Sequence, residues 1–229
     1  MKRAVTIIIL SILLIGSLSF SQTGNAEFRA TWVITWNYSS SSFSVETSQQ
    51  RIREVLDNHV KANMNAVLFQ VRQSGTAYYQ SSFEPWGSYS PQYTDYDPLT
   101  FAVEEAHKRG LELHAWFNCF AASSTAPGSP AAKYPHWVCR DQSGIAMTES
   151  RALSPGMQAV RDYTIDVAME IVNNYDIDGL HLDYVRWNEY SNSKKSKSYA
   201  ASIDETRMLD GFITEEQIED LIKNKGGRY

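Results

Sequence analysis

Four strand-like segments separated by three helical ones lie between Phe28 and Arg186, and this alternation constrains the fold more than any other feature of the sequence. Phe28–Trp36, Ala66–Arg72, Leu111–Asn118 and Asp178–Arg186 are rich in β-branched and aromatic residues and read as strands. Between the first two, Ser48–Asn63 carries Ile52, Val55, Leu56, His59 and Val60 on one helical stripe. The second helix opens on Asp97-Pro98, an N-cap followed by the residue best suited to the first helical position. It carries Leu99, Ala102, Val103 and Ala106, and Gly110 stops it. A third helix runs from Ser154-Pro155 to Tyr175 through Val160, Tyr163, Val167, Ile171 and Val172. Strand alternating with helix implies parallel pairing, as a doubly wound sheet or a (β/α)8 barrel. No Gly-x-Gly-x-x-Gly follows any strand, which disfavours a dinucleotide-binding sheet. The long loops follow strands and the helix-to-strand turns are short, as in a barrel whose site is built at its C-terminal face. The expected class is therefore α/β, of the (β/α)8 TIM-barrel type.

Length limits how much of a barrel is present. Four units reach about Arg186, and each further unit needs about 25–30 residues, judged from a barrel of roughly 250. The expectation is an N-terminal half-barrel over residues 27–190. Residues 191–229 then form a loop and a helix, a truncated continuation in which Thr214-Glu215-Glu216-Gln217 gives a capping-box start. A four-stranded fragment of this kind exposes sheet edges that invite pairing.

Residues 1–26 read as a signal peptide. Lys2 and Arg3 precede an apolar run from Ala4 to Ile15, and small residues follow it. The run is short for a membrane span, which needs roughly 20 apolar residues. An exported chain without a span after cleavage is expected, in the periplasm, the cell envelope or the extracellular space. Net charge is -5, and the one basic cluster, Ser191–Ser198, has three lysines, so nucleic acid is not an expected partner. Cys119 and Cys139 could pair in an oxidising compartment or remain two buried thiols.

Strands covered on both faces should be almost uniformly apolar. These are not. Period-two alternation puts Gln70 with Arg72, His114 with Trp116 and Asn118, and His181 with Asp183. Several polar groups at one end of a barrel suggest a wet pocket. Blander roles stay open for some of them: His114 as a hydrogen-bonded core histidine, Gln70 as a cap on a neighbouring strand, Arg72 as a structural ion partner of Asp183. No cluster of ligand spacing accompanies His181 and Asp183, so neither a metal nor another cofactor is expected.

Several segments, in order, resemble the glycosyl-hydrolase-like 10 family. They are Phe69-Gln70-Val71-Arg72, Tyr96-Asp97-Pro98, Glu105-Ala106-His107-Lys108-Arg109-Gly110, His114-Ala115-Trp116-Phe117-Asn118, Leu153-Ser154-Pro155-Gly156 and the run Asp178 to Arg186. The resemblance spans about Phe28 to Asn188. It implies a (β/α)8 barrel in a bacterial envelope or secreted protein that hydrolyses glycan strands of peptidoglycan or a related polysaccharide. The Asp-Gly-Leu-His-Leu-Asp segment is also similar to the fourth-strand signature of the α-amylase clan. That likeness places Asp183 as nucleophile or transition-state stabiliser and His181 where the clan has a basic residue. An oxocarbenium-like transition state needs one ionised carboxylate and a second carboxyl as acid. Arg72 or Arg186 would keep Asp183 ionised.

Gln70, Arg72, Trp116, Asn118, His181, Arg186 and Trp36 are the expected substrate-binding residues. Trp36, Trp86 and Trp187, at or after strand ends, could stack on sugar rings. Two site loops depart from the family: Gly75-Thr76 stands where Gly-Asp is common, and Asn118-Cys119-Phe120-Ala121 where Asn-Pro-Tyr-Arg is. The general acid is unassigned, with Glu84, Asp95 and Glu189 as loop candidates. The alternative to an enzyme is a non-catalytic glycan-binding protein or an inactive fragment.

Overall fold

The computed structural model describes residues 27–91, 93–139, 146 and 151–185. The expectations for the signal segment, the tail helix, Arg186, Trp187 and Glu189 lie outside those residues. Four strands form a parallel sheet: β1 (Ala30–Val33), β2 (Ala66–Gln73), β4 (Glu112–Asn118) and β5 (Gly179–Asp183), with β3 (Thr76–Ala77) hooked antiparallel onto the end of β2. The order is β1-β2-β4-β5. Each parallel strand lies beside the next in sequence, with no reversal of the kind that defines a doubly wound sheet. This is the winding of a barrel, so the described chain is an α/β partial barrel.

Local sequence accounts for the helices. α1 (Val45–Lys61) starts where Ser44 accepts a hydrogen bond from the Thr47 N–H, and it buries Ser48, Ile52, Leu56 and His59 on one stripe. Asp97 Oδ1 caps α2 (Pro98–His107) by accepting from Leu99 and Thr100, and Gly110, at φ +69°, ends that turn. Its Oδ2 accepts from the Gln80 N–H at 2.7 Å and the Tyr175 hydroxyl at 2.6 Å. One carboxylate thus joins a helix cap, the loop after β2 and the end of α4 (Gln158–Asn174). Between them, α3 (Pro130–Lys133) is a single turn inside the long loop after β4.

The core lies between sheet and helices. Val67, Phe69, Val71, Leu113, Ala115 and Phe117 meet Ile52, Leu56, Leu99, Ala102, Val103, Val167 and Ile171. A smaller cluster of Ala122, Trp137, Val138, Leu153, Met157 and Val160 supports the loop after β4. His59 is buried and joins helix to sheet, through Thr31 Oγ1 at 2.8 Å and the Val55 carbonyl at 2.8 Å. Among the described residues, no helix is long and apolar enough to cross a membrane.

Three local features differ from the sequence expectation. The first strand stops at Val33, because a 3-10 turn (Thr35–Asn37) takes Trp36 off the sheet. Ser74 and Gly75, at φ +58° and +77°, make a two-residue hairpin that creates β3. The most consequential difference is a register shift between Gln70 and Arg72, where Val71 is an extra residue opposite β4.

A charged cluster locks α1 to α2. Buried Glu105 accepts from Lys108 Nζ and Arg109 Nη1, both at 2.8 Å, while Arg109 Nε reaches Asp57 at 2.7 Å. The hydrogen bond from Lys108, then that from Arg109, lowers the Glu105 carboxyl to about 2. A depressed folded pKa stabilises the fold above the unfolded value of about 4.3, and this contribution is lost as pH falls towards 2. Unfolding free energy should therefore decline between about pH 4 and 2, and Glu105→Gln should flatten that part of the curve. Denaturant titrations across this range check it, and an unchanged slope in the variant would refute it.

Candidate active site

Parallel register stacks side chains into rows on the sheet face opposite the helices. Trp32, Leu68, His114 and Gly179 align in one row; Gln70, Trp116 and His181 form the next; Asn118 and Asp183 lie at the C-terminal end. The composition changes from apolar to polar towards the end where barrel sites are built. A Cβ at position 179 would lie 2.2 Å from His114 Nδ1, so glycine there makes room for the imidazole. His114 is held by Glu112 Oε2 at 2.9 Å and by the edge of Phe28, with ring centroids 5.0 Å apart. Gly179→Ala should cost about 1–3 kcal/mol through this overlap. Adding His114→Ala should recover most of the loss; equal melting temperatures of single and double variants would disprove the clash.

Asp183 is half-buried at the end of β5. Its Oδ2 accepts the Trp116 indole N–H at 3.0 Å, and its Oδ1 accepts the Tyr184 N–H at 2.7 Å. Tyr184, at φ +53°, turns the chain immediately afterwards. Asn118, opposite Asp183 in register, is 4% exposed, and its Oδ1 has no hydrogen-bond partner among the described residues. A buried acceptor left without a donor is costly, and such atoms often meet a ligand or a water. His181 Nε2 takes the Trp32 indole N–H at 3.1 Å. Since an indole nitrogen only donates, Nε2 is the accepting nitrogen, and the neutral ring carries its proton on Nδ1.

Arg72 is not where alternation puts it. The extra residue at Val71 aligns Arg72 with Phe117 on the helix side, away from Gln70, and its guanidinium lies 4.8 Å over the Phe117 ring. It is fully buried. Nε and Nη2 bind the two Glu84 oxygens at 2.8 and 2.6 Å, and Nη1 donates to the Asn118 and Cys119 carbonyls, the latter at 2.9 Å. Its carboxylate partner is thus Glu84, and not Asp183, the structural ion partner left open for it. The same geometry removes Glu84 from the candidate acids, because Arg72 and the Tyr163 hydroxyl, at 3.1 Å, occupy its oxygens. No signal in the sequence marks Glu84 as this partner, 12 residues away across a loop.

Gln70 is 1% exposed and accepts from the Thr35 N–H at 3.3 Å, which matches the strand-capping role left open for it. Trp36 and Tyr89 stand out in solvent, edge to face, with centroids 5.9 Å apart. Trp86 is half-buried against Tyr93, and Asp95 is exposed. Cys119 and Cys139 are buried thiols, which burial pushes up to about 11 and about 12. Among the described residues, no three His, Cys, Asp or Glu side chains are grouped to hold a metal.

The polar end of a partial barrel is a common site architecture, so the fold alone does not select a family. The family model for glycosyl hydrolase-like 10 matches residues 27–207. The chain belongs to this family. Its relatives include "Glycosyl hydrolase YngK" of Bacillus subtilis (strain 168), 36% identical over 173 residues, which cover 69% of this chain and 32% of the relative. "Glycosyl hydrolase DigH" of Escherichia coli (strain K12) is 30% identical over 202 residues, covering 76% and 45%. This glycosyl hydrolase-like 10 chain therefore spans less than half the length of either relative. Two solved structures share its fold. A hypothetical protein from Ruminiclostridium thermocellum ATCC 27405 aligns at TM-score 0.54 and 15% identity, covering 78% of this chain and 88% of that one. Alpha-L-fucosidase isoenzyme 2 from Paenibacillus thiaminolyticus aligns at 0.53 and 18%, covering 87% and 28%.

Proposed function

We propose that this chain carries the nucleophile half of a glycoside hydrolase site, with Asp183 as nucleophile or transition-state stabiliser. The observation that carries the reading is the Asp183 carboxylate itself: half-buried at the C-terminal end of β5, oriented by two N–H donors, and in register with a buried amide oxygen that has no donor among the described residues. A carboxylate fixed in this way stabilises positive charge on a sugar's anomeric carbon, or attacks that carbon to form a glycosyl ester as the glycosidic C–O bond breaks and the leaving oxygen takes a proton from the acid. Asn118 Oδ1 would accept a sugar hydroxyl, and His181 would donate from Nδ1. Trp116 orients the carboxylate and supplies apolar surface beside it.

The proposed substrate is a glycan strand of a bacterial cell wall or a related polysaccharide, met after export through the segment before residue 27. Family membership and the names of the two relatives support glycosidic chemistry; the cell-wall substrate is inferred from the resemblance. Glu84, whose oxygens Arg72 and the Tyr163 hydroxyl occupy, is not the acid that protonates the leaving group. The test is hydrolysis of denuded peptidoglycan strands and chitin-like oligomers by the full-length protein, with and without Asp183→Asn. A wild type that binds these glycans without hydrolysing them would support the alternative of a non-catalytic glycan-binding protein.

A further inference from the structure

The geometry points to Arg72 as a positioning residue for Asp183: its guanidinium, oriented by Glu84, fixes the peptide unit to which the Asp183 backbone is bonded. This inference rests on the glycoside hydrolase reading above and deepens it by a residue too buried to meet the sugar. Both side chains of the pair are 0% exposed. A buried ion pair contributes little net stability, since two apolar side chains of similar volume often serve as well. What this pair holds is more specific.

Arg72 Nη1 donates to the Asn118 carbonyl. That carbonyl and the Cys119 N–H belong to one planar peptide unit. The Cys119 N–H in turn donates to the Asp183 carbonyl at 2.8 Å. The guanidinium and the Asp183 backbone therefore sit at opposite ends of a single peptide. A cation on its carbonyl side polarises the unit and strengthens the bond made by its N–H. The second Nη1 bond, to the Cys119 carbonyl at 2.9 Å, fixes the next unit. Glu84 sets the direction of this grip: its two oxygens take Nε and Nη2, which leaves Nη1 for the two carbonyls. The bulge at Val71 completes the device. It re-aims Arg72 to the helix side, so the cation holds the strand end from behind without entering the pocket. Asn118 and Asp183, paired in register, are held together by the same peptide.

The experiment uses the full-length protein carrying Arg72→Met with Glu84→Leu, which removes the pair without leaving a buried charge. On glycan strands, kcat should fall about tenfold with KM nearly unchanged, because the carboxylate is displaced and the sugar contacts remain. Amide hydrogen exchange at Cys119 should rise about tenfold relative to Ala115 and Phe117 of the same strand, which separates local loosening from a general loss of stability. Wild-type kcat in the double variant, or exchange at Cys119 that changes only in step with Ala115 and Phe117, overturns the assignment. If the double variant does not fold, Arg72→Lys keeps a charge beside Glu84 without the fork and carries the same two measurements. A wild type that hydrolyses neither peptidoglycan strands nor chitin-like oligomers removes the glycan reading, and exchange at Cys119 then decides alone whether Arg72 holds Asp183.

Discussion

Asp183→Asn is expected to lower turnover on glycan strands by about a thousandfold or more while leaving the protein folded and able to bind sugar. The carboxamide keeps the shape and loses the charge. The two donors address different carboxylate oxygens, and in asparagine one of those positions becomes an NH2 that cannot accept. Losing one such hydrogen bond at a half-buried position costs about 1 kcal/mol, a small fall in melting temperature. The transition state has more to lose, since positive charge develops on the sugar beside the position of the carboxylate. Turnover, sugar affinity and thermal melting, measured together on the full-length protein, separate the two effects. Unchanged hydrolysis, or a variant that does not fold, would make Asp183 a structural acid.

Removing Arg72 should act in the opposite way, on stability more than on binding. Arg72→Met leaves Glu84 with its carboxylate buried and its main partner gone, and leaves the Asn118 and Cys119 carbonyls short of a donor. Breaking a buried pair from one side costs about 3–5 kcal/mol, which is a large part of the stability of a domain this size. Removing both charges, as Arg72→Met with Glu84→Leu, should cost clearly less than Arg72→Met alone, because the uncompensated charge disappears with its partner. Denaturant midpoints for the two singles and the double close the cycle. If Arg72→Met kept wild-type stability and weakened glycan binding instead, its guanidinium would belong to the site and not to the helix side of the sheet.

The sequence revealed those parts of the fold that depend on periodicity and on caps. Asp97-Pro98 and Gly110 bound α2, and the apolar stripes of α1 and α4 face the core except at Val60 and Val172, which are exposed. The barrel winding followed from the alternation together with the long loops after strands and the missing glycine fingerprint. The errors arise where one residue changes a local count. Alternation along Phe69-Gln70-Val71-Arg72 assumes an unbroken ladder, and the bulge at Val71 carries Arg72 to the other face. The Ser74-Gly75 pair is a recognisable turn signal, but the two residues of β3 after it are too few to show a strand period. Glu84 as partner of Arg72, and Trp32 as partner of His181, depend on how loops and strands meet in space. Nothing in their spacing along the chain encodes those meetings.

The Trp32–His181 hydrogen bond has a mechanical consequence. β1 and β5 are separated by two intervening strands, so in a flat sheet the two backbones would stand roughly 14 Å apart. That their side chains meet at 3.1 Å means the sheet is curled, and the bond spans its hollow like a string across a bow. Curvature is then not left to further strands alone; the described strands hold part of it themselves. The chord also ties β5, which ends on Asp183, to β1 at the other side of the described sheet.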